Sequence, residues 1–108
     1  MRKGKGTTMS LSPAQLEATR QELRSNFDKS GLTIEQIAEE LDTTTHYIER
    51  LFALEPLRYE DTWILRNVLI RAVEERGEQP VAFSALKGDW HNIWFLNADY
   101  IDNGRIGK

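Results

Sequence analysis

The side chains able to ligate metals or to act as nucleophiles are few in this 108-residue chain. Its two histidines, His46 and His91, lie far apart and lack the i, i+4 spacing with which one helix binds zinc. Cysteine is absent, which removes thiolate catalysis, disulfides and cysteine-based zinc sites. We therefore expect no bound metal, and we assign both histidines to ordinary surface roles.

The patterns that support other kinds of catalysis are also missing. No glycine-rich phosphate loop follows a strand, no serine lies in a nucleophile elbow, and no carboxylate pair stands in an apolar setting. Trp90, Trp94 and Tyr100 could line a small-molecule pocket, but aromatic side chains at helical spacing are typical of a core. The sequence therefore predicts a protein that is not an enzyme and needs no cofactor.

Composition and charge limit the surroundings and the partners of the chain. The net charge is −3, and no apolar run approaches the roughly 18 residues of a membrane span. Without cysteines or a secretory signal, the expected location is the cytoplasm. Arg2, Lys3 and Lys5 make the first residues basic, which would suit an arm that reaches DNA. We interpret residues 1–9 as a disordered leader and residues 10–108 as a single helical domain.

Three helix starts follow the same local pattern. Ser12 can cap a first helix and Thr33 a second, and each is followed three residues later by a glutamine that completes a capping box. The second helix is predicted over residues 33–41. Thr44 can cap a third helix whose inner face carries Ile48, Leu51 and Phe52.

The remainder of the chain contains the longest predicted helix and an ambiguous end. The helix should be capped near Asp61 and end at Gly77 in a left-handed conformation. Residues 90–101 keep helical spacing, whereas YIDNGRI carries the Asn-Gly signal of a hairpin. We favour a short helix over residues 89–96 followed by an irregular tail. The expected fold is an all-α helical bundle.

The stretch LTIEQIAEELDTTTHYIERLF resembles the helix-turn-helix unit of small bacterial regulators, here at residues 33–52. Ala38 is small enough to let two helices cross closely, Asp42 stands at a turn position that must tolerate positive φ, and Ile48 fills the gap between the helices. The rest of the chain, including EDTWILRNVLIRAVEE and FSALKGDWHNIWFLN, resembles a family of small uncharacterised bacterial proteins. That second likeness implies no function.

The helix-turn-helix resemblance implies a transcriptional regulator that binds double-stranded DNA with its third helix in the major groove. Arg50 could contact guanine and Glu49 could accept from cytosine, while the threonines could reach a phosphate or a thymine methyl group. The side chains that the resemblance places on the DNA face are Thr44, Thr45, His46, Glu49 and Arg50.

The charge of this segment favours another interpretation. Arg50 is its single base, whereas DNA-binding proteins gain much of their affinity from cations that neutralise phosphates. Further cations would have to come from Arg20, Arg24, Arg58, Arg66 and Arg71, or from a second subunit. The alternative is a protein-interaction module whose acidic face, Glu35, Glu39 and Glu40, meets a basic protein partner. We expect a homodimer, joined through the apolar residues 63–73 or through residues 90–96.

Overall fold

The computed structural model describes residues 12–107, so the predicted leader lies outside the described residues. Within them the secondary structure is helical, as predicted: five α-helices and one 3-10 turn at Trp90–Asn92. None of these helices is long and apolar enough to cross a membrane. The α-helices are α1 (Pro13–Ser30), α2 (Ile34–Leu41), α3 (Thr45–Phe52), α4 (Tyr59–Glu75) and α5 (Ala98–Asn103).

The starts of α1 and α2 confirm the predicted capping boxes. The Ser12 hydroxyl accepts from the Gln15 amide at 3.1 Å, and the Gln15 side chain accepts from the Ser12 amide at 2.8 Å. Thr33 and Gln36 repeat this exchange at the start of α2. Each box satisfies two backbone N–H groups that a helix start leaves without partners, so these starts are determined locally.

The turn between α2 and α3 also has the predicted geometry. Asp42 adopts the left-handed conformation with φ 61° and ψ 49°, and the Thr43 amide donates back to the Ala38 carbonyl at 2.9 Å. Thr44 then caps α3, because its hydroxyl accepts from the Tyr47 amide at 3.1 Å. The turn is therefore three residues long, and it brings the apolar faces of α2 and α3 together.

A single hydrophobic cluster joins all five helices. Helix α1 packs against α4, α2 against α3, and α4 against both α3 and α5. Burial of a side chain such as Ile48 contributes roughly 1.5–3 kcal/mol to stability. The innermost apolar side chains, each with at most 1% exposure, are Leu23, Ile37, Leu41, Ile48, Leu51, Ile64, Leu65, Leu69 and Val73.

The predicted cap of α4 is wrong. The helix begins at Tyr59, and its N-cap residue Arg58 makes no side-chain cap bond. Asp61 instead lies inside the protein with 2% exposure. It shares a helical face with the buried Ile64, Leu65 and Val68, because positions separated by three, four and seven residues lie above one another. The end of the helix agrees with the prediction, since Gly77 has φ 77°.

The predicted helix over residues 89–96 is also wrong. Only the 3-10 turn forms there, and Ile93 returns to an extended conformation. A new helix starts after Asn97, whose side chain accepts from the Tyr100 amide at 3.1 Å. The Asn97 amide in turn donates to the Glu60 carboxylate at 2.9 Å. The Asn-Gly pair marks the end of α5, where Gly104 takes φ 72°. It therefore terminates a helix and makes no hairpin.

Asn26 holds the irregular segment after α4 against the helices. This residue is fully buried, and its amide group bonds both the carbonyl of Val81 at 3.0 Å and the amide of Val81 at 2.9 Å. Ser84 adds a bond from its hydroxyl to the Glu22 carboxylate at 2.7 Å. The segment is thus fastened to α1 without regular secondary structure of its own.

The buried position of Ile48 gives the first prediction. Ile48→Ala should lower the free energy of unfolding by roughly 2–5 kcal/mol, because it leaves a cavity between α2, α3 and α4. Chemical denaturation followed by circular dichroism measures this change. The matched control is Glu49→Ala on the exposed side of the same helix, which should stay within about 0.5 kcal/mol of the wild type. Equal effects of the two substitutions would show that the inner face of α3 is misplaced.

Candidate nucleic-acid interface

The outer face of α3 presents the residues that the sequence singled out. Thr44, Thr45, His46 and Glu49 are exposed, and Arg50 is half-buried. They occupy the cap, the first turn and the following turn of one eight-residue helix. The structure therefore brings all five onto one short element, where a helix N-terminus and its first side chains face solvent together.

Arg50 is the only member of this face that carries a permanent positive charge. Its side chain makes no hydrogen bond, ion pair or ring contact with any other described residue of the chain. A planar guanidinium with five donors and no internal partner can bind a flat acceptor pair with two parallel hydrogen bonds. The chemistry available at this face is thus hydrogen bonding by an arginine, a carboxylate, hydroxyls and an imidazole.

Most of the arginines proposed as additional DNA contacts are engaged elsewhere. Arg20 pairs with Glu17 at 3.3 Å, and Arg71 pairs with Glu40. Arg24 stacks on the Phe52 ring at 4.6 Å. Arg66 donates to the Leu86 carbonyl at 2.8 Å and lies over the ring of Trp63, and burial lowers the pKa of its guanidinium. Of the five candidates, Arg58 alone lies beside the first turn of α3 without a carboxylate partner. Arg24 also has no carboxylate partner, but it lies at Phe52, the last residue of α3.

The acidic side of the helix pair remains largely open. Glu35 and Glu39 are exposed, and neither side chain bonds to any residue between 12 and 107. Glu40 differs, because its carboxylate accepts from Arg71 on α4. Exposed ion pairs of this kind contribute little to stability, about 0–1 kcal/mol. The acidic face predicted from the sequence is thus formed by two free carboxylates and one paired carboxylate.

A buried polar cluster behind α3 was missed by the sequence analysis. Asp61 accepts hydrogen bonds from two tyrosine hydroxyls: Tyr47 on α3, and Tyr100 on α5 at 2.7 Å. Each hydroxyl in turn accepts a backbone N–H, from Leu57 at 2.8 Å and from Gly107 at 2.6 Å respectively. Every member therefore has partners, as a buried carboxylate requires. The signal in the sequence was the position of Asp61 on the apolar face of α4.

The cluster holds both phenols in their neutral form. Burial, together with the hydrogen bond to the Asp61 carboxylate, raises the pKa of Tyr47 from 10.0 to about 12. Burial likewise raises the pKa of Tyr100, and the bond to Asp61 adds to this effect. The phenols thus remain donors at any physiological pH, and Tyr47 attaches the first turn of α3 to α4.

His91 joins the irregular segment to α5. Its Nε2 lies 2.8 Å from Asp102 Oδ2 and its Nδ1 faces Asp89, while the Trp90 indole donates to Asp102 at 3.0 Å. The hydrogen bond to Asp102, followed by that to Asp89, raises the pKa of His91. The bond from His91 lowers the pKa of Asp102. No group that could hold a metal ion occurs among the described residues, and both ring nitrogens of His91 are used internally.

The exposed aromatic surface differs from the predicted core. Trp94 leaves 83% of its surface in solvent, Leu57 75% and Tyr59 54%. The Phe95 ring makes edge contacts with both Tyr59 and Trp94, at centroid distances of 6.4 and 5.6 Å. The expectation that Trp94 belongs to the core is therefore wrong. We call the side chains of Leu57, Tyr59, Trp94 and Phe95 the aromatic patch.

A shallow pocket opens between α2, α4 and α5. Its volume is about 200 Å³, smaller than the roughly 300–1,000 Å³ of typical small-molecule sites. Trp90 and Ile101 contribute apolar surface, and the Glu40–Arg71 pair lies at its rim. Trp94 and Tyr100 do not line it. The pocket therefore adds no convergent set of reactive side chains to the site.

Comparison with known proteins gives a family but no function. The family model described as "Uncharacterized protein conserved in bacteria (DUF2316)" matches residues 9–97. This range includes α1 to α4 and the irregular segment that follows them. Neither the curated proteins nor the solved structures yield a match to the chain. The description of the family states no activity, ligand or partner.

The buried phenols give a prediction about alkaline pH. The folded protein holds the Tyr47 proton more tightly than the unfolded chain does, so this contribution to stability is complete below pH 10 and is lost as pH rises to about 12. Denaturation midpoints measured between pH 8 and 12 should therefore fall across that window.

Tyr47→Phe should flatten this fall, because the titrating group is removed. Tyr59→Phe is the matched control, since Tyr59 is an exposed tyrosine outside the cluster. An unchanged pH profile for Tyr47→Phe would contradict the buried phenol–carboxylate contact. At neutral pH, Asp61→Ala should lower the free energy of unfolding more than Tyr47→Phe does. The expected cost is on the order of 1–3 kcal/mol for each phenol left without its acceptor.

Proposed function

The chain belongs to the DUF2316 family of uncharacterized proteins conserved in bacteria, and we propose that it is a DNA-binding regulator of the helix-turn-helix type. The observation that carries the proposal is the outer face of α3. This eight-residue helix packs against the core with its apolar side, while its capped N-terminus and its polar side chains are open to solvent. Such a helix has the size and exposure with which regulators enter the major groove.

The crossing of α2 and α3 supports this assignment. Ala38 and Ile48 are buried between the helices, and Asp42 takes the left-handed turn conformation that the spacing requires. Helix α2 is thereby held behind α3, as the first helix of the motif is held behind its recognition helix. The same contacts keep α3 rigid, which reduces the entropy lost on binding.

The side chains on the face suit particular base edges. Arg50 would bind guanine O6 and N7 with two hydrogen bonds, and Glu49 would accept from cytosine N4. Thr44 and Thr45 would contact a phosphate or a thymine methyl group, and His46 would add a donor or an acceptor. Recognition would thus depend on hydrogen bonds to bases more than on charge.

The acidity of the helix pair sets the strength of non-specific binding. Between residues 33 and 53, Arg50 is the only base, and the segment carries five acids: Glu35, Glu39, Glu40, Asp42 and Glu49. Glu40 is neutralised in part by Arg71, and the other acids would repel phosphates that come near. We therefore propose weak binding to random DNA and appreciable affinity only for a matching sequence.

We propose that the active form is a homodimer joined through the aromatic patch. The other predicted seam, residues 63–73, is unavailable, because Trp63, Leu65 and Val73 are buried within one protomer. Aromatic side chains each bury roughly 150–250 Å², so Tyr59 and Trp94 with their symmetry mates would fill the centre of an interface of about 800 Å² per partner. Two copies of α3 would then meet half-sites about 34 Å apart.

A protein-interaction module is the second candidate function. The free carboxylates of Glu35 and Glu39 on one helix favour it, because an exposed acidic stripe suits a basic protein surface. In that case the helix pair would be retained as a packing unit without affinity for nucleic acid. The two candidates differ in their dependence on Arg50, since the acidic stripe lies on α2.

Selection from a random duplex pool tests the primary proposal. The wild type should enrich one sequence, and Arg50→Ala should relax the preference at one base pair and weaken binding by roughly 1–3 kcal/mol. The matched control is Lys87→Ala, an exposed cation in the segment that follows α4. Absence of any enriched duplex, together with capture of a protein that Arg50→Ala does not weaken, would exclude the regulator in favour of the interaction module.

Sedimentation at micromolar concentration tests the dimer. The wild type should sediment as a dimer and Trp94→Ala as a monomer with unchanged helix content, because the substitution removes the most exposed aromatic side chain of the patch. Lys87→Ala again serves as the control and should remain dimeric. A wild-type protein that is monomeric throughout this concentration range would contradict the proposed seam.

A further inference from the structure

We infer that Arg58 and Arg105 bind phosphates of the DNA beside the N-terminal end of α3. The inference rests on the proposed function and names the groups that would supply the missing charge. The ligand is the phosphodiester backbone of a duplex, so these contacts would be independent of base sequence. Three structural features support it: the anchoring of each arginine, the lack of competing partners, and the charge balance around α3.

Arg58 is held next to the first turn of α3. The residue before it, Leu57, donates its backbone N–H to the Tyr47 hydroxyl at 2.8 Å, and Tyr47 belongs to α3. The Arg58 guanidinium lies over the Tyr100 ring, 5.0 Å from the ring centroid. Stacking on a ring directs a guanidinium while leaving its edge N–H groups available to an anion.

Arg105 is held next to the turn between α2 and α3. The following residue, Ile106, is buried, and its N–H donates to the Leu41 carbonyl at 2.9 Å at the end of α2. The Gly107 N–H donates to the Tyr100 hydroxyl at 2.6 Å. Two backbone bonds and one buried side chain therefore fix the segment, while the Arg105 side chain stays exposed.

Tyr100 connects the two arginines. Its ring carries Arg58, its hydroxyl accepts from the segment that contains Arg105, and the same hydroxyl donates to Asp61, which also binds Tyr47 of α3. Both cations are thus positioned relative to α3 by one buried cluster. A surface loop without such anchors would lose more conformational entropy on binding a phosphate.

Neither arginine has a carboxylate to neutralise it among residues 12–107. Arg20, Arg71 and Arg76 are each paired with a glutamate. The cations at α3 therefore remain available for an external anion. Arg50, Arg58 and Arg105 are thus the cations that could offset the acids on α3 and in its flanking turns, which are Asp42, Glu49 and Glu55.

The number of contacts sets the expected salt dependence. Each phosphate neutralised on duplex DNA contributes about 0.9 to the slope of log affinity against log salt. Two arginines from each protomer of a dimer give about four contacts, hence a slope of about −3.6 from these residues. This is well below the slope of about −10 known for a strongly basic repressor.

The test measures the affinity of the full chain for its selected duplex at several salt concentrations. Arg58→Gln and Arg105→Gln should each reduce the slope by about 1.8 in a dimer, and should weaken binding severalfold or more at 0.1 M salt, without changing base preference. Lys87→Gln is the matched control and should leave both quantities unchanged. Arg105→Lys should restore the slope, because a phosphate accepts a point charge.

Three outcomes separate the inference from the proposed function. If the wild type binds no duplex even at low salt, the proposed function fails and this inference fails with it. If the wild type binds but both glutamine variants behave like Lys87→Gln, the phosphate assignment is overturned and the regulator stands. Arg58→Met keeps an apolar stem over Tyr100, so it replaces Arg58→Gln if that variant does not fold, with the same expected loss of slope.

Discussion

The carboxylate of Asp61 has to be matched by donors, because burying a charge without partners costs several kcal/mol. Two phenols match it, one from α3 and one from α5, and each phenol accepts a backbone N–H from the chain that follows its helix. Helices α3 and α5 thus meet α4 at this residue, and the segments at Leu57 and Gly107 join them through the phenols. The orientation of α3 relative to α4 depends on it, and so does the position of the C-terminal segment beneath the end of α2.

The charge distribution restricts the way in which such a protein could recognise DNA. Among residues 12–107, Arg20, Arg71 and Arg76 are paired with glutamates, and Arg66 donates to a backbone carbonyl. A regulator with so few free cations would depend on base contacts made by a rigid helix, and it would bind random DNA poorly. The same distribution leaves two free glutamates on α2, which explains why a basic protein partner is the competing interpretation.

The apolar side chains of α4 and those of the following segment have different roles. In α4 they fill the core, so they cannot also join two subunits. Around Trp94 the chain is irregular and its aromatic rings stack edge to face on the surface. An exposed apolar cluster of this kind commonly marks an interaction site. The aromatic patch includes Leu57, whose backbone N–H is bonded to Tyr47 of α3. The proposed dimer contact therefore lies beside the proposed DNA face.

The sequence by itself determined the features that depend on neighbours within a few positions. Ser12, Thr33 and Thr44 cap helices because their partners lie three residues away, and the apolar period of α2 and α3 decided which side of α3 is exposed. Tertiary structure decided the rest. Asp61 is buried and does not cap α4, because it accepts hydrogen bonds from Tyr47 and Tyr100, which lie 14 and 39 positions away. Which arginines stay free, and where Trp94 lies, likewise depended on contacts between distant segments, and no local pattern identifies the partners in such contacts.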